Sequence, residues 1–308
     1  MKRERAMVPP AEPRTYYGRA VLKRPVWTWE VPAYFFTGGV AGACGPIAAG
    51  ARLAGQEELA RRAAALGLAA VAVSPALLVS DLGRPERFVN MLRVFKPTSP
   101  MSVGTWILSA HGPLAALAAG WQLLGRPGAR VGVPAQFATA VTGPLVSTYT
   151  AALVATTAVP VWHDARRRLP FLFAASSLAA AGGALAALTP VPAARAARAL
   201  GVAGAAAELA VAHDMERRLD PRVRRSYEDG PARRPHRAAR AATIAGAALL
   251  AAAGRRSRAA AVAGGLALCA GSALTRLAIF RAGSASADDP VQTVGPQRER
   301  LAGRQTAA

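Results

Sequence analysis

Long apolar runs separated by short basic clusters dominate this chain of 308 residues. A hydrocarbon core about 30 Å thick needs about 20 helical residues to cross it, and eight runs approach that length with few charges. The runs cover residues 31–51, 63–80, 102–124, 136–162, 170–189, 196–213, 239–253 and 257–280. The last three are rich in Ala and Gly, which suits close packing between helices. The pattern predicts an all-α integral membrane protein with eight transmembrane helices.

Composition and charge agree with a membrane protein. Apolar residues make up 52% of the chain and charged residues only 18%, against about a quarter in soluble proteins. The net charge of +21 is typical of proteins that meet nucleic acid or an anionic membrane surface. Because the basic residues alternate with apolar runs and aromatics make up only 6%, a base-stacking basic face is not expected. We predict a multi-pass protein of the cell inner or plasma membrane, in contact with lipids and without a nucleic-acid partner.

The distribution of Lys and Arg predicts the orientation. With eight crossings, the N-terminal segment, the even-numbered loops and the C-terminal segment share one side and hold 27 of the 38 basic residues. The opposite loops hold 10, and the remaining one lies inside the last helix. By the positive-inside rule, both termini are predicted to be cytoplasmic.

Cysteine and histidine usage limits the cofactors. The two cysteines, Cys44 and Cys269, lie inside apolar runs, so neither a disulfide framework nor a four-thiolate iron–sulfur cluster is expected. A haem needs axial ligands, and the chain has only four histidines. His163 and His213 fall at helix ends beside Arg-rich loops, so one peripheral haem there stays an alternative. We predict no haem and no metal in this chain.

The connection between the second and third predicted helices carries the most specific sequence. It reads SDLGRPERF from Ser80 to Phe88 and resembles the signature loop of the NrfD family, the membrane subunits of polysulfide reductase and related molybdopterin oxidoreductases. Other segments resemble the family in the same order along the chain. They are Tyr16–Arg19, Pro25–Tyr34, Thr37–Gly42, Ala158–His163, Asp289–Pro290 and Val294–Gln297. The resemblance spans nearly the whole chain.

The resemblance implies a fold and a set of partners. It implies two four-helix bundles and a quinone site, for menaquinone or ubiquinone as bound substrate, near the face where a ferredoxin-like iron–sulfur subunit docks. A molybdopterin catalytic subunit completes such complexes, so the chain is not expected to be catalytic alone. The predicted segments are a cytoplasmic N-terminal segment (1–30), a first bundle (31–162) with a docking loop (81–101), a second bundle (163–280) and an extended C-terminal tail (281–308).

Three residues are predicted to bind the quinone. A quinone head group needs hydrogen-bond partners for two carbonyls inside an otherwise apolar pocket. By the resemblance, Tyr34 and Tyr149 fall near positions that line this pocket, whereas an Asn of some members is Val31 here. His111 is placed by depth, since it lies about 14 Å into the third helix at about 1.5 Å per residue. The alternatives are interfacial anchoring for the tyrosines and a purely structural bond for His111.

Two charges fall inside the predicted spans. An ionised group at mid-bilayer costs at least about 2.5–3.5 kcal/mol and persists only with a partner or a wet cavity. Glu208 and Arg276 lie a few residues before the inner ends of the sixth and eighth helices, at similar depth. They are predicted to form either a structural buried ion pair or a site in which Glu208 relays protons.

The docking surface is predicted from the signature loop and the segment before the first helix. Asp81, Arg84 and Arg87 lie at the inner end of the second helix, and Tyr16 and Tyr17 precede the first. The arginines could bind an acidic iron–sulfur protein; the alternative is a cluster that only anchors the helix end.

The basic run Arg217–Arg225 is explained most simply by binding of anionic lipid head groups.

The sequence thus predicts a quinone-reactive membrane subunit that exchanges electrons with an iron–sulfur partner. A membrane anchor without its own quinone site is the alternative. A solute or ion transporter is less favoured, because transporters repeat polar sites in their two halves and the Glu208 and Arg276 pair has no counterpart in the first four helices.

Overall fold

The structure is a computed structural model that describes residues 20–23, 25–124, 129–295 and 298, and all regular secondary structure in these ranges is helical. The helices in chain order are α1 (Glu30–Leu53), α2 (Glu57–Asp81), α3 (Arg87–Met91), α4 (Pro100–Leu124), α5 (Ala129–Ala155), α6 (Pro160–Asp164), α7 (Leu169–Leu188), α8 (Arg195–Arg218), α9 (Pro221–Glu228), α10 (Arg233–Ala252) and α11 (Arg258–Asp288). Within the described ranges, eight of them contain 20 to 31 residues, while α3, α6 and α9 are short.

Each long helix overlaps one apolar run of the sequence, and two differences change the predicted segments. The run 136–162 is divided, because α5 ends at Ala155 and α6 begins at Pro160. Proline has no N–H and disfavours helical backbone in the residue before it, and Val159 is accordingly extended. Helix α11 continues to Asp288 and residues 290–295 are helical as well, so the described first part of the predicted extended tail, 281–308, is helical.

Five helices of the described chain are long and apolar enough to cross a membrane. They are α2, α4, α5, α7 and α11. The protein is therefore a multi-pass membrane protein. The helices α8 and α10 carry Arg-rich turns at their ends, which lowers their mean hydropathy. Crossing by all eight long helices and the cytoplasmic position of both termini stay predictions.

The long helices pack in two groups. In the first, α1 contacts α2 and α5, and α4 contacts α2 and α5. In the second, α7 contacts α8 and α11, and α10 contacts α8 and α11. The groups meet where α1 and α5 pack against α7. Helix α1 therefore holds the two groups together.

Small residues allow α1 and α5 to touch backbone to backbone. A Cβ added at Gly42 would overlap the carbonyl oxygen of Gly143, and one added at Gly143 would overlap the carbonyl oxygen of Gly42. A Cβ at Gly45 would likewise overlap the carbonyl of Thr139. Helix association in lipid depends on such close van der Waals packing, so this contact fixes the position of α1 relative to α5.

The α1–α5 contact can be tested by Gly143→Ala. The added methyl group meets backbone that cannot rotate away, so we expect a loss of about 1–3 kcal/mol in the free energy of unfolding, seen as a lower thermal midpoint in detergent. Gly120→Ala is the control, because a Cβ at Gly120 meets nothing within 4 Å and alanine favours a helix. Equal midpoints for the two variants would contradict the close contact.

Candidate functional site

An apolar cavity of about 460 Å³ lies among the helices of the first group. We call it the α1–α5 cavity. Its apolar lining comes from four long helices and the short helix α3, and it includes Val31, Phe35, Leu78, Phe88, Met91, Leu108 and Leu153. Its polar lining is sparse and comprises Tyr34, Asp81, Thr105, Ser109 and Tyr149. A largely apolar chamber with a few polar groups is typical of a site for a flat organic ligand.

Two prolines lie inside the helices that line this cavity. Pro75 is within α2 and Pro113 within α4. Proline cannot donate the helical hydrogen bond to the carbonyl four residues earlier. The carbonyl of Ser109, another lining residue, therefore lacks its helical donor. Pro113 therefore leaves one backbone acceptor without its helical donor at a lining residue of the cavity.

The structure brings Tyr34 and Tyr149 together at the cavity. Their ring centroids are 6.3 Å apart and the rings are tilted by 54°. Tyr34 is 1% exposed, and its hydroxyl has no hydrogen-bond partner within the described residues. A buried hydroxyl without a partner is costly, so a bound molecule that accepts a hydrogen bond would relieve it. Both predicted tyrosines thus share one chamber, and their role in binding quinone stays a prediction.

Gly104 of α4 is a site residue that the sequence reasoning missed. A Cβ there would overlap the ring of Tyr149, so only glycine leaves room for that ring to lie against α4. Gly112, eight residues further on, lines the cavity, and a Cβ there would meet nothing within 4 Å. Two glycines at this spacing share a helix face, which is the signal that could have identified them.

His111 is not brought to the α1–α5 cavity. It is buried, and its Nδ1 lies 2.8 Å from the Thr142 hydroxyl oxygen of α5. It lines a separate small cavity beside Cys44 and Gln136. The reason is helical geometry, since His111 lies two positions after the lining residue Ser109 on α4, which is a rotation of about 200° around the helix axis. The arrangement favours the structural alternative for His111.

Asp81 connects the signature loop to the segment before α1. Its Oδ1 accepts a hydrogen bond from the Thr28 hydroxyl at 3.1 Å and a longer one from the Thr28 amide. It also lines the α1–α5 cavity near the end of α2. The Asp81 side chain therefore both lines the α1–α5 cavity and fixes the segment before α1 through Thr28.

The loop after Asp81 presents an exposed surface. Arg84 and Arg87 are exposed, while Phe88 and Met91 reach the cavity from the same short segment. Three large apolar side chains of the loop are also exposed, namely Val89, Val94 and Phe95. Exposed apolar groups beside charged ones are common at protein interfaces. Tyr16 and Tyr17 lie outside the described residues.

Glu208 and Arg276 are both buried, but the structure does not pair them directly. The Glu208 carboxylate accepts a hydrogen bond from Thr275 at 2.7 Å, and Arg276 donates to the Phe173 carbonyl at 2.8 Å and the Ser177 hydroxyl at 2.9 Å. The Arg276 guanidinium also lies 3.7 Å from the centroid of the Phe173 ring. Thr275 and Arg276 are successive residues of α11 and point about 100° apart, so one faces α8 and the other α7.

A second cavity of about 40 Å³ joins Glu208 to the helix ends of the second group. Its lining includes Glu208, Glu216, Tyr227 and His236. Among the described residues, one Glu208 oxygen and the Tyr227 hydroxyl have no hydrogen-bond partner. The cavity offers room for a few water molecules, each needing about 10–15 Å³. Water there would satisfy both buried groups.

Three titratable side chains line this second cavity near the end of α8 and the start of α10; His236 and Glu216 lie outside the predicted spans, and Arg240 lies at the start of the span 239–253. His236 Nε2 lies 3.4 Å from a Glu216 oxygen, and Arg240 lies 3.7 Å from the other oxygen. Burial lowers the pKa of His236, opposed by the negative charge of Glu216. Burial also raises the pKa of Tyr227. Burial therefore disfavours the charged form of both side chains.

These features define a multi-pass membrane protein whose described secondary structure is helical. Its apolar α1–α5 cavity is lined in part by the signature loop after α2. A family model described as "Polysulphide reductase, NrfD" matches residues 20–212, which include the chamber and the loop. The chain belongs to the NrfD family. Members of this family are membrane subunits of oxidoreductase complexes. No curated protein matches the chain.

Proposed function

We propose that this protein is the quinone-reactive membrane subunit of an oxidoreductase complex. It would exchange electrons between the membrane quinone pool and a ferredoxin-like iron–sulfur subunit, which serves a molybdopterin catalytic subunit. The observation that carries the proposal is the α1–α5 cavity, an apolar chamber lined by Tyr34, whose buried hydroxyl has no partner among the described residues. The family membership supports the setting in a complex.

The chamber suits a quinone ring. The apolar side chains would enclose the ring, and the tyrosine hydroxyls of Tyr34 and Tyr149 would donate hydrogen bonds to its carbonyl oxygens. Reduction of a quinone also requires protons near the reacting oxygens. Asp81 lines the chamber beside the loop and would pass protons between the chamber and water.

The signature loop would seat the iron–sulfur partner. Its short helix α3 places Phe88 and Met91 in the chamber and leaves Arg84 and Arg87 exposed. A partner bound to the exposed side would therefore lie only one side-chain layer from the quinone. Guanidinium groups bind carboxylates of an acidic protein surface in a fixed geometry.

Glu208 would relay protons in the second group of helices. Glu208 lines the small cavity that reaches Glu216 and His236, and it makes no direct ion pair with Arg276 within the described chain. This arrangement supports a proton relay over a structural ion pair. The relay is separable from quinone binding, because it lies in the other group of helices.

Removing one tyrosine hydroxyl tests the assignment of the head-group donors. We expect Tyr149→Phe and Tyr34→Phe each to lower quinone-linked turnover of the assembled complex by up to about tenfold, the equivalent of one lost hydrogen bond. Thr139→Val is the control, because it removes a buried hydroxyl on the same helix as Tyr149 that does not line the chamber. Wild-type turnover in both test variants would refute the assignment.

Filling the chamber separates a quinone site from a plain anchor. Gly112→Phe would place a ring in open space of the cavity, and we expect it to remove most of the quinone that co-purifies with the protein in native lipid. Gly120→Phe lies on the same helix, also in open space, and should retain the quinone. Both variants should keep the iron–sulfur partner. If the wild-type complex holds its partner but no quinone, the chain is an anchor.

Glu208→Gln tests the relay. Glutamine keeps the size of the side chain and can still accept from Thr275, but its amide neither takes up nor releases a proton near neutral pH. We expect lower turnover with an altered pH dependence and an unchanged thermal midpoint. Thr275→Val is the control, because it removes the hydrogen bond but keeps the carboxylate. A wild-type pH profile in Glu208→Gln would leave Glu208 a structural residue.

A further inference from the structure

A basic cavity of about 230 Å³ lies where α7 begins and α8 ends. Its lining brings together two basic clusters that are far apart in the sequence, Arg166–Arg168 and Arg218. The first cluster includes a 3₁₀ turn, 165–167, that directly precedes α7. Met215 and Leu219 contribute the apolar part of the lining. Four guanidinium groups therefore surround one recess.

One carboxylate positions two of these arginines. Asp214 accepts a hydrogen bond from the Nε of Arg168 at 3.1 Å through one oxygen and from the Nε of Arg218 at 2.7 Å through the other. These bonds use only the Nε–H of each guanidinium, so the terminal nitrogens stay available. The two arginines lower the pKa of the Asp214 carboxyl. The ionised carboxylate links Arg168, directly before α7, to Arg218 of α8.

The remaining groups leave an excess of positive charge. Asp164, the acidic residue of the lining, already accepts a hydrogen bond from the Asp220 amide at 3.0 Å. Arg166 donates to the His163 carbonyl at 2.9 Å. Arg167 has no hydrogen bond or ion pair among the described residues. The four arginines of the lining thus have two carboxylates beside them, Asp164 and Asp214, and both carboxylates already accept hydrogen bonds.

The chemistry of the recess indicates its ligand. Its cationic groups are all guanidinium groups, whose planar forks of N–H donors match phosphate oxygens better than a lysine ammonium does. The recess lies at the end of α7, a helix long and apolar enough to cross a membrane. That position is the depth at which phospholipid head groups lie, and basic pockets at helix ends are known to hold anionic lipids.

We propose that this cavity binds a phosphate group, supplied by the head group of an anionic phospholipid, between Arg167, Arg168 and Arg218. The proposal is independent of quinone binding and requires only that α7 spans the membrane. It differs from general attraction of basic loops to the membrane. Arg234 and Arg237 are exposed on the same end of the protein but line no part of this recess.

The experiment measures lipid binding to the full chain in detergent by native mass spectrometry. The probes are phosphatidylglycerol, zwitterionic phosphatidylcholine, and inorganic phosphate in a separate thermal-shift arm. We expect phosphatidylglycerol to bind the wild type more tightly than phosphatidylcholine. The double variant Arg167→Gln/Arg218→Gln should bind phosphatidylglycerol about tenfold more weakly. Arg234→Gln/Arg237→Gln, with the same change of charge, should stay within about twofold of the wild type.

The outcomes separate the sources of the phosphate. Suppose that inorganic phosphate raises the thermal midpoint of the wild type but not of the cavity double variant, and that phosphatidylglycerol binds no more tightly than phosphatidylcholine. The site then takes a soluble phosphate, and the lipid head group is refuted as its source. Equal weakening in the two double variants would overturn the proposal, because attraction would then depend on total charge alone. If the cavity double variant does not fold, the single variant Arg167→Gln decides, since this exposed side chain has no partner to lose within the described chain.

Discussion

The contact between α1 and α5 is the constraint on which the rest of the structure depends. Lipid tails are as apolar as the helix surfaces, so burial of apolar area does not drive helices together in a membrane, and close packing does. Gly42 and Gly143 let the two backbones touch, and Gly39 of α1 leaves room for Ser177 and Arg276 of the second group. Because Tyr34 is on α1 and Tyr149 on α5, the same contact sets the distance between the two tyrosine rings.

Buried polar groups divide into two kinds in this protein. Some are paired across helices, as in the hydrogen bonds of His111 with Thr142 and of Ser176 with Ser272, and these stabilise helix packing. Others have a buried polar atom without a partner in the described chain, and four of them line cavities, namely Tyr34, Gln136, Glu208 and Tyr227. Buried polar atoms without partners are rare and call for a reason. Their position beside cavities makes binding of ligand or water the natural reason.

The sequence predicted which segments form helices far better than which way their side chains face. Length and apolar content place the long helices and the signature loop identifies the family, but neither fixes the rotation of a helix about its axis. His111 lies within α4 as expected, but on a face of that helix that does not line the chamber. Glu208 and Arg276 have similar depth but face different neighbours. Gly104 escaped notice because its role depends on a ring from another helix.

Three cavities, namely the α1–α5 cavity, the Glu208 cavity and the basic cavity, are lined by residues near the same ends of the long helices. Specific contacts connect the first two. Thr28 binds Asp81 beside the α1–α5 cavity, and Trp27 of the same segment stacks on Trp162 at 5.9 Å. Trp162 in turn donates to the Ile279 carbonyl of α11 at 2.8 Å. The chain thus concentrates its chambers, its basic recess and its longest connections on one face. A partner bound at this face would contact residues of both groups of helices, because these contacts link the segment before α1 to α11.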